Sequence, residues 1–244
     1  MSGQSALVLG ATGATGKHLL KELISSNHFT KIGEYGRRVT PQSQIPATNK
    51  LEQKVVDFET INRTAFQNDR WDVIFITLGT TRGNAGSAAA FEKIDREYVL
   101  NAARAAKSDD PSHEQRVVYL SSGGANPSSH FLYFKSKGLT EEGLASLGYE
   151  LIAFRPGFLA QADRQGTSRP IAETILNPLM SMLGSVWSGA LIPVAQLAKS
   201  MRTAGELGSS GIPANLKTHI SKNGAVYTVI DNNPAVKLAS STTQ

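Results

Sequence analysis

The chain of 244 residues contains no cysteine. Disulfide bonds, thiol catalysis and thiolate metal sites are therefore excluded. Its five histidines are scattered along the sequence without a paired spacing, which argues against a zinc site. We expect a protein that works without a metal ion.

Long apolar runs are also missing. No stretch reaches the roughly 20 residues that span a bilayer, and the first apolar run starts too early to leave room for a signal or transit peptide. We therefore expect a cytoplasmic protein without a transmembrane segment, for which only peripheral membrane contact stays open. The net charge of +5 is spread along the chain, so no nucleic-acid partner is expected.

With 40% hydrophobic residues, the chain can bury a substantial core. Its length suits a single α/β domain over residues 1–244, in which residues 160–225 contribute a small C-terminal substrate lobe.

Three glycines spaced three residues apart follow the apolar run 6–9. They predict a strand, a tight turn and a helix: Gly10 permits the turn, Gly13 leaves room for a pyrophosphate, and Gly16 lets the helix approach the strand. The N–H groups at the start of this helix would face the phosphates. A glycine-rich turn that binds nothing is the alternative. The residues expected at the cofactor in this turn are Gly10, Thr12, Gly13, Ala14, Thr15 and Gly16.

Arg37 and Arg38 follow the second predicted strand, at residues 31–36. An NAD-preferring site presents an acidic residue here, about 20 residues beyond the glycine turn. Guanidinium groups instead suit a 2′-phosphate by charge and by bidentate geometry, so NADP(H) is favoured over NAD(H). The alternative is an exposed arginine pair without a ligand.

Further strands are predicted at residues 51–58, 72–78, 116–120, 150–154 and 226–230, with helices at 16–26, 91–107 and from 194 to about 204. The helix at 91–107 is expected to carry Phe91, Ile94, Tyr98 and Ala102 on one face. A glycine-rich loop is predicted after residue 204 and a short polar tail after residue 230. The amphipathic stretch 171–187 predicts a substrate lid, with an ordinary core helix as the alternative.

The carboxyl ends of these strands supply the other candidate cofactor residues, because an open α/β sheet binds its ligands at that edge. Asp57 would accept a hydrogen bond from the adenine amino group, or else cap the next helix. The residues expected at the cofactor along this edge are Asp57, Phe58, Leu78, Gly79, Thr80, Thr81, Pro156 and Gly157.

Tyr133 and Lys137 stand four residues apart, so on a helix they share one face. A nearby ammonium stabilises a phenolate, which makes Tyr133 a candidate proton donor or acceptor. Ser122, at the end of the strand 116–120, would hold a substrate carbonyl, with Ser121 as the alternative serine. A surface helix without chemistry is the competing interpretation.

These motifs resemble the atypical or extended short-chain dehydrogenase/reductase superfamily. They are more closely similar to the Tat-interactive protein family of oxidoreductases and its fungal mitochondrial relatives. The segments that carry the closer resemblance are Gly36-Arg37-Arg38, residues 55–59, residues 78–83, residues 131–133 with Lys137-Gly138, residues 154–157, and residues 163–165 with 168–170.

The resemblance implies a Rossmann fold that binds NADPH and a catalytic set of Ser122, Tyr133 and Lys137, in which Lys137 also holds the nicotinamide ribose. The asparagine that completes this set in ordinary members has no identified counterpart in the sequence. The fungal branch implies the periphery of mitochondria as the alternative location. The resemblance implies no particular substrate.

The sequence thus predicts a doubly wound, Rossmann-type parallel α/β fold. We expect an NADPH-dependent carbonyl reductase or alcohol dehydrogenase that acts on a small molecule as a monomer or homodimer. One alternative is a redox-neutral isomerase, dehydratase or cyclase that uses the same pocket. The other is an NADPH-sensing adaptor.

Overall fold

The structure, a computed structural model, describes residues 3–62, 66, 70–160, 191–222 and 224–241. The predicted lid at 171–187 lies outside these residues. The strands are β1 Gln4–Leu9, β2 Phe29–Gly36, β3 Leu51–Val55, β4 Val73–Ile76, β5 Arg116–Leu120, β6 Glu150–Arg155, β7 Phe158–Ala160, β8 Leu191–Pro193, β9 Thr218–Lys222 and β10 Ala225–Asp231. The helices are α1 Gly16–Ser25, α2 Arg82–Ala85, α3 Ala88–Glu92, α4 Tyr98–Ala106, α5 Leu132–Ala145, α6 Val194–Gly211 and α7 Asn232–Ser240.

Eight of these strands form one sheet in the order β3-β2-β1-β4-β5-β6-β10-β9. Neighbouring strands run parallel, except for β9, which pairs antiparallel with β10 at the edge. A separate parallel pair joins β7 to β8. The first six strands have the order of a doubly wound Rossmann fold, which confirms the predicted fold class. The strand order reverses between β1 and β4, where such folds bind their ligands.

Helices cover both faces of the sheet, and the side chains of each strand alternate between two cores. In β1, Ala6 and Val8 point to a core that includes residues of α1, α6 and α7. Leu7 and Leu9 point to the other core, which includes residues of α4 and α5. Burial on both faces explains the nearly continuous apolar sequence of β1, β4 and β6.

The end of the chain differs from the sequence expectation. The predicted glycine-rich loop after residue 204 is wrong at its start, because α6 runs on past Gly205; its backbone breaks at Gly208, where φ is +68°, before the element ends at Gly211. Gly205 is required by packing: a Cβ at this position would lie 2.3 Å from the ring of Phe75. The expected polar tail is also wrong, since residues 232–240 form α7 and bury Ala235, Leu238 and Ala239. The edge strand β9 was not predicted.

A π-helical turn, Lys93–Glu97, joins α3 to α4. This turn takes up one more residue than an α-helical turn and so changes which residues face the core. Ile94 and Tyr98, expected on one face with Phe91, are half-buried, whereas the fully buried positions include Asp95 and Val99. The turn therefore carries a carboxylate into the interior.

None of the helices given above combines the length and the apolar composition needed to cross a bilayer. Within the described ranges, histidine, aspartate and glutamate form no group of three that could hold a metal ion.

Candidate active site

The glycine turn between β1 and α1 is held by close backbone contacts. Gly10 has a φ of +98°, and a Cβ there would lie 2.8 Å from the backbone nitrogen of Leu78. A Cβ on Gly16 would lie 2.1 Å from the carbonyl oxygen of Gly10. Gly13 is exposed, and its own Cβ would come no closer than 3.2 Å to the same oxygen. Gly10 and Gly16 thus shape the turn, while Gly13 leaves its surface open.

Thr15 precedes α1 and carries a buried hydroxyl at the positive end of the helix dipole. The residue is 3% exposed, and its Oγ1 has no hydrogen-bond partner among the described residues. A buried hydroxyl without a partner is rare in proteins and calls for an explanation. A phosphate oxygen at the helix N-terminus would supply the missing hydrogen bond. Thr12 is exposed and Ala14 half-buried beside it.

Arg37 and Arg38 are exposed directly after β2. In the described part of the chain, neither guanidinium has an ion-pair or hydrogen-bond partner. The acidic residue of this strand, Glu34, is buried and fully used inside the protein. Its Oε1 accepts hydrogen bonds from the backbone N–H (2.8 Å) and hydroxyl (2.7 Å) of Thr40, and its Oε2 accepts one from Gln53 (2.7 Å). The β2 end therefore presents positive charge to the solvent.

Asp57 and Phe58 lie in the turn after β3, which ends at Val55 and not at residue 58. The Asp57 carboxylate accepts hydrogen bonds from the backbone N–H of Glu59 at 3.0 Å and from the hydroxyl of Thr60 at 3.3 Å. Phe58 is 2% exposed and stacks on Tyr98 at 5.8 Å. Asp57 thus stabilises its own turn, and Phe58 belongs to the core; an adenine contact by either residue stays a prediction.

The loop after β4 runs past the glycine turn and over a buried ion pair. Leu78 contacts the Gly10 turn, as described above. Gly79 is exposed, and a Cβ on it would lie 3.2 Å from Asp95 Oδ1 and 3.5 Å from Lys137 Nζ. The half-buried Thr80 follows, and Thr81 Oγ1 accepts a hydrogen bond from the backbone N–H of Asn84 at 3.2 Å. Gly79 thus lets the loop lie directly against the pair.

Lys137 and Asp95 form this pair between α5 and the π-helical turn. The Lys137 Nζ lies 3.1 Å from Asp95 Oδ1 and donates to the hydroxyl of Tyr119 at 3.2 Å. Both charged residues are buried, Asp95 completely. Burial is the largest single influence on the pKa of the Lys137 ammonium and would lower it, but the negative charge of Asp95 together with the smaller effects of Tyr119 and Tyr133 outweighs burial and raises that pKa above the ordinary lysine value. Lys137 is therefore a fixed positive charge at neutral pH.

Tyr133 lies one turn before Lys137 on α5 and reaches the surface with 38% of its area exposed. Its ring packs against Phe91, at 6.1 Å between centroids, and against Phe134, at 5.6 Å. Phe131, which is 56% exposed, contacts Phe134 edge-to-face. An aromatic wall thus surrounds a phenol that a small molecule can reach.

The two serines after β5 have different surroundings. Ser121 is buried and donates to Glu141 Oε1 at 2.5 Å. Ser122 is half-buried, and among the described residues the single hydrogen-bond partner of its hydroxyl is the neighbouring carbonyl of Gly123, at 3.2 Å. Of the two hydroxyls, that of Ser122 is the freer to bind a substrate oxygen.

Pro156 and Gly157 follow β6, next to the serine loop. The Gly123 N–H donates to the Pro156 carbonyl at 2.7 Å, and the Gly157 N–H donates to Asn232 Oδ1 at 3.0 Å. These bonds join the loops after β5, β6 and β10 at the carboxyl edge of the sheet. The structure thus places the serine, the Pro-Gly turn and the start of α7 together.

A family profile described as NAD(P)H-binding matches residues 10–178, which include the glycine turn, both serines, Tyr133 and Lys137. The chain belongs to this NAD(P)H-binding family. Protein HTATIP2 of Rattus norvegicus is 41% identical over 203 residues, which are 82% of this chain and 81% of that protein. Protein FMP52, mitochondrial, of Candida albicans is 30% identical over 240 residues, covering 97% of this chain and 99% of the relative. The predicted resemblance to Tat-interactive and fungal proteins is confirmed.

Among solved structures, the enzyme WbmF of Bordetella bronchiseptica in complex with NAD+ is similar with a TM-score of 0.63. It is 13% identical, and the match covers 99% of this chain and 80% of WbmF. At this identity the likeness concerns the fold alone. It agrees with the Rossmann topology of the NAD(P)H-binding family.

Two acidic residues of this NAD(P)H-binding chain were missed by sequence reasoning. Asp95 occupies a core position four residues after Phe91 and four before Val99. The sequence pattern that could have revealed it is therefore a carboxylate inside an apolar stripe of a helix. Glu141 follows Lys137 by one helical turn and is completely buried. It accepts from Arg155 Nε at 3.0 Å and Nη2 at 2.5 Å, and from the hydroxyl of Tyr227 at 3.1 Å. Glu141 thus joins α5 to the ends of β5 and β6 and to β10.

The residues present fit a nicotinamide dinucleotide. The open Gly13 and the Thr15 hydroxyl, which has no partner among the described residues, would hold its phosphates, and the two exposed arginines add positive charge nearby. At the other end of the site, a fixed ammonium, an accessible phenol and a serine hydroxyl supply what proton transfer to a carbonyl oxygen requires.

Proposed function

We propose that the protein is an NADPH-dependent oxidoreductase of the short-chain dehydrogenase/reductase type, which reduces the carbonyl group of a small molecule or oxidises the corresponding alcohol. The observation that carries this proposal is the arrangement on α5. The buried, positively charged Lys137 lies one helical turn from the partly exposed Tyr133, inside an NAD(P)H-binding fold.

In the proposed reaction, the Ser122 hydroxyl donates a hydrogen bond to the substrate carbonyl oxygen and orients it. Tyr133 transfers its phenolic proton to that oxygen as negative charge develops there. The Lys137 ammonium stabilises the resulting phenolate by its positive charge and offers an N–H to a ribose hydroxyl. The bound dinucleotide supplies the hydride, which is chemistry that the side chains alone cannot provide.

Arg37 and Arg38 support NADPH as the preferred cofactor. Their guanidinium groups, at the end of β2, have no partner within the described ranges, and the acidic Glu34 of that strand is fully hydrogen-bonded to Thr40 and Gln53. A 2′-phosphate would find positive charge at this place, and the ribose hydroxyls of NAD would find no free carboxylate.

The test is steady-state oxidation of NADPH with a panel of aldehydes, ketones and quinones, with NADPH affinity measured alongside. Tyr133→Phe removes one exposed hydroxyl, so fold and NADPH affinity should survive while turnover falls by roughly 10²–10⁴. Tyr149→Phe is a matched control. The Tyr149 hydroxyl donates to the Ala103 carbonyl inside the core that includes residues of α4 and α5, so its removal should not affect turnover per folded molecule. Full activity of a folded Tyr133→Phe variant would exclude the acid role.

Location remains part of the proposal. We propose the cytoplasm as the location. Mitochondria are the alternative, which the names of the fungal relatives support because they contain the word mitochondrial. Cell fractionation with markers for both compartments decides between them.

A further inference from the structure

We propose that Asp95 is a positioning residue that fixes the direction of the Lys137 ammonium, so that one N–H of Lys137 is left for the cofactor ribose. This inference rests on the function proposed above for the same site. It concerns a residue that lies on the π-helical turn before α4, outside the set of Ser122, Tyr133 and Lys137.

The geometry of the ammonium supports a positioning role. A lysine ammonium has three N–H donors and no acceptor. One N–H donates to the Tyr119 hydroxyl at 3.2 Å, and Asp95 Oδ1 lies 3.1 Å from Nζ as an ion pair without hydrogen-bond geometry. No third partner of Lys137 exists among the described residues. These two contacts hold the nitrogen in place and leave at least one N–H for the cofactor.

Gly79 connects this ion pair to the cofactor edge of the sheet. The backbone of Gly79 lies so close that an added Cβ would be 3.2 Å from Asp95 Oδ1 and 3.5 Å from Lys137 Nζ. Gly79 itself is exposed and follows β4, one of the two strands at the switch point. The ion pair thus lies directly beneath the loop that faces the ligand in a fold of this type.

The π-helical turn is an independent observation. Such turns are rare, are found mostly as single turns within α-helices, and occur often at functional sites. In this chain the turn at residues 93–97 carries Asp95, which is completely buried. A buried carboxylate is costly unless it is paired. The helix therefore departs from regular geometry at the residue that pairs with Lys137.

The surroundings of Lys137 determine what removal of the carboxylate does. Three charged or titratable groups affect the pKa of Lys137 directly: Asp95 from the π-helical turn, Tyr119 from β5 and Tyr133 from α5. Glu141 affects the pKa of Tyr119. Asp95→Asn keeps the side-chain shape but removes the only carboxylate among the groups acting directly on the ammonium. Burial then dominates, and burial lowers a lysine pKa.

The direct experiment is a pH titration of the Lys137 ε-amino group by ¹⁵N NMR in the full-length protein. In the wild type, the ammonium should stay protonated beyond the ordinary lysine range. In Asp95→Asn, the midpoint should fall by about one pH unit or more. Addition of NADPH should shift the Lys137 signal in the wild type, and by less than half as much in Asp95→Asn.

Ser136→Ala serves as the control, because Ser136 Oγ lies 3.5 Å from the other carboxylate oxygen, Oδ2, and is equally buried. It should leave the Lys137 midpoint unchanged. In turnover, Asp95→Asn should lower kcat about tenfold or more and add a loss of kcat with rising pH at the new lysine midpoint. Ser136→Ala should keep the wild-type pH profile.

An unchanged Lys137 midpoint in Asp95→Asn, or an equal shift in both variants, would overturn the proposal. The same holds for an undiminished response of Lys137 to NADPH. These readouts need no substrate. If the wild type reduces no carbonyl at all, the proposed function fails, and the lysine titration still decides the role of Asp95.

Discussion

At the scale of single residues, the three glycines of the β1–α1 turn have different tasks. A Cβ added at Gly16 would lie 2.1 Å from the Gly10 carbonyl oxygen, whereas a Cβ added at Gly13 would lie 3.2 Å from the same oxygen. The first distance is impossible without moving the backbone, whereas the second requires a small adjustment. Gly16 thus serves the fold, and we propose that the exposed Gly13 serves the binding of the cofactor.

This difference predicts that the same substitution, glycine to alanine, has different effects at the two positions. Gly16→Ala should destabilise the protein by about 1–3 kcal/mol, because it forces the helix away from the strand. Gly13→Ala should cost less stability than Gly16→Ala, but it should weaken NADPH binding at least as much as Gly16→Ala does. Thermal unfolding and calorimetric NADPH titration of both variants measure this. Equal stability losses together with unchanged NADPH affinity would contradict the assignment.

The arginine pair predicts a cofactor preference above tenfold for NADPH over NADH, since a charge-assisted hydrogen bond contributes about 1.5–3 kcal/mol. Arg37→Ala/Arg38→Ala should remove this preference. The double variant Arg96→Ala/Arg104→Ala changes the net charge by the same amount, on the π-helical turn and on α4, and it should keep the preference for NADPH. Titration of all three proteins with both cofactors is the measurement; a preference that survives in the Arg37/Arg38 variant rules the site out.

At the scale of elements, α5 carries most of the proposed chemistry. Tyr133, Lys137 and Glu141 follow each other at intervals of four residues, from the exposed start of the helix into the core. The sequence predicted the first two as one face of a helix, because their spacing is local information. Asp95 and Glu141 were missed because an acid is stable in the core only beside partners that other elements supply. Long-range pairs of this kind leave little trace in local sequence patterns.

Glu141 should therefore contribute strongly to stability. Glu141→Gln keeps the shape but leaves the Arg155 guanidinium without its buried counter-charge, which should cost about 3 kcal/mol or more. Glu142→Gln is the adjacent control, since its ion pair with the half-exposed Lys222 contributes about 0–1 kcal/mol. Urea unfolding gives both values. A loss at Glu141 as small as that at Glu142 would contradict the buried network.

At the scale of the whole molecule, the Rossmann core, the start of α6 and β10 were predictable, whereas the end of α6, β9 and α7 were not. Continuous apolar strands separated by helical stripes identify parallel βα units, because both faces of such a sheet are covered. Gly205 and Gly208 suggested a loop, but Gly205 is needed where α6 packs on Phe75. The short β9 and α7 lack a strong period of their own, and they are stabilised by packing against β10 and α6.

Burial throughout the sheet predicts a loss of stability at high pH. Burial raises the pKa of Tyr119, Tyr149 and Tyr227 above the ordinary value, and Glu141 adds to this effect at Tyr227. The unfolded chain loses these protons near pH 10, so it binds fewer protons than the native state and stability falls as the pH rises further.

An alkaline absorbance titration measures the ionisation of the six tyrosines. The native protein should retain at least three protonated tyrosines past the ordinary tyrosine range, and their ionisation should coincide with unfolding followed by circular dichroism. Ionisation of all six in one step, with the fold intact, would contradict the burial of these hydroxyls.

Transfer of hydrogen from NADPH to a substrate tests the central claim most directly. With NADPH doubly deuterated at C4 of the nicotinamide and a carbonyl compound from the panel, the alcohol product should gain one deuterium, seen by mass spectrometry. Tyr133→Phe should bind the same NADPH and form this product at roughly 10²–10⁴ lower rate. Undeuterated product formed at the wild-type rate, or equal rates of deuterium transfer in the wild type and Tyr133→Phe, would contradict the account.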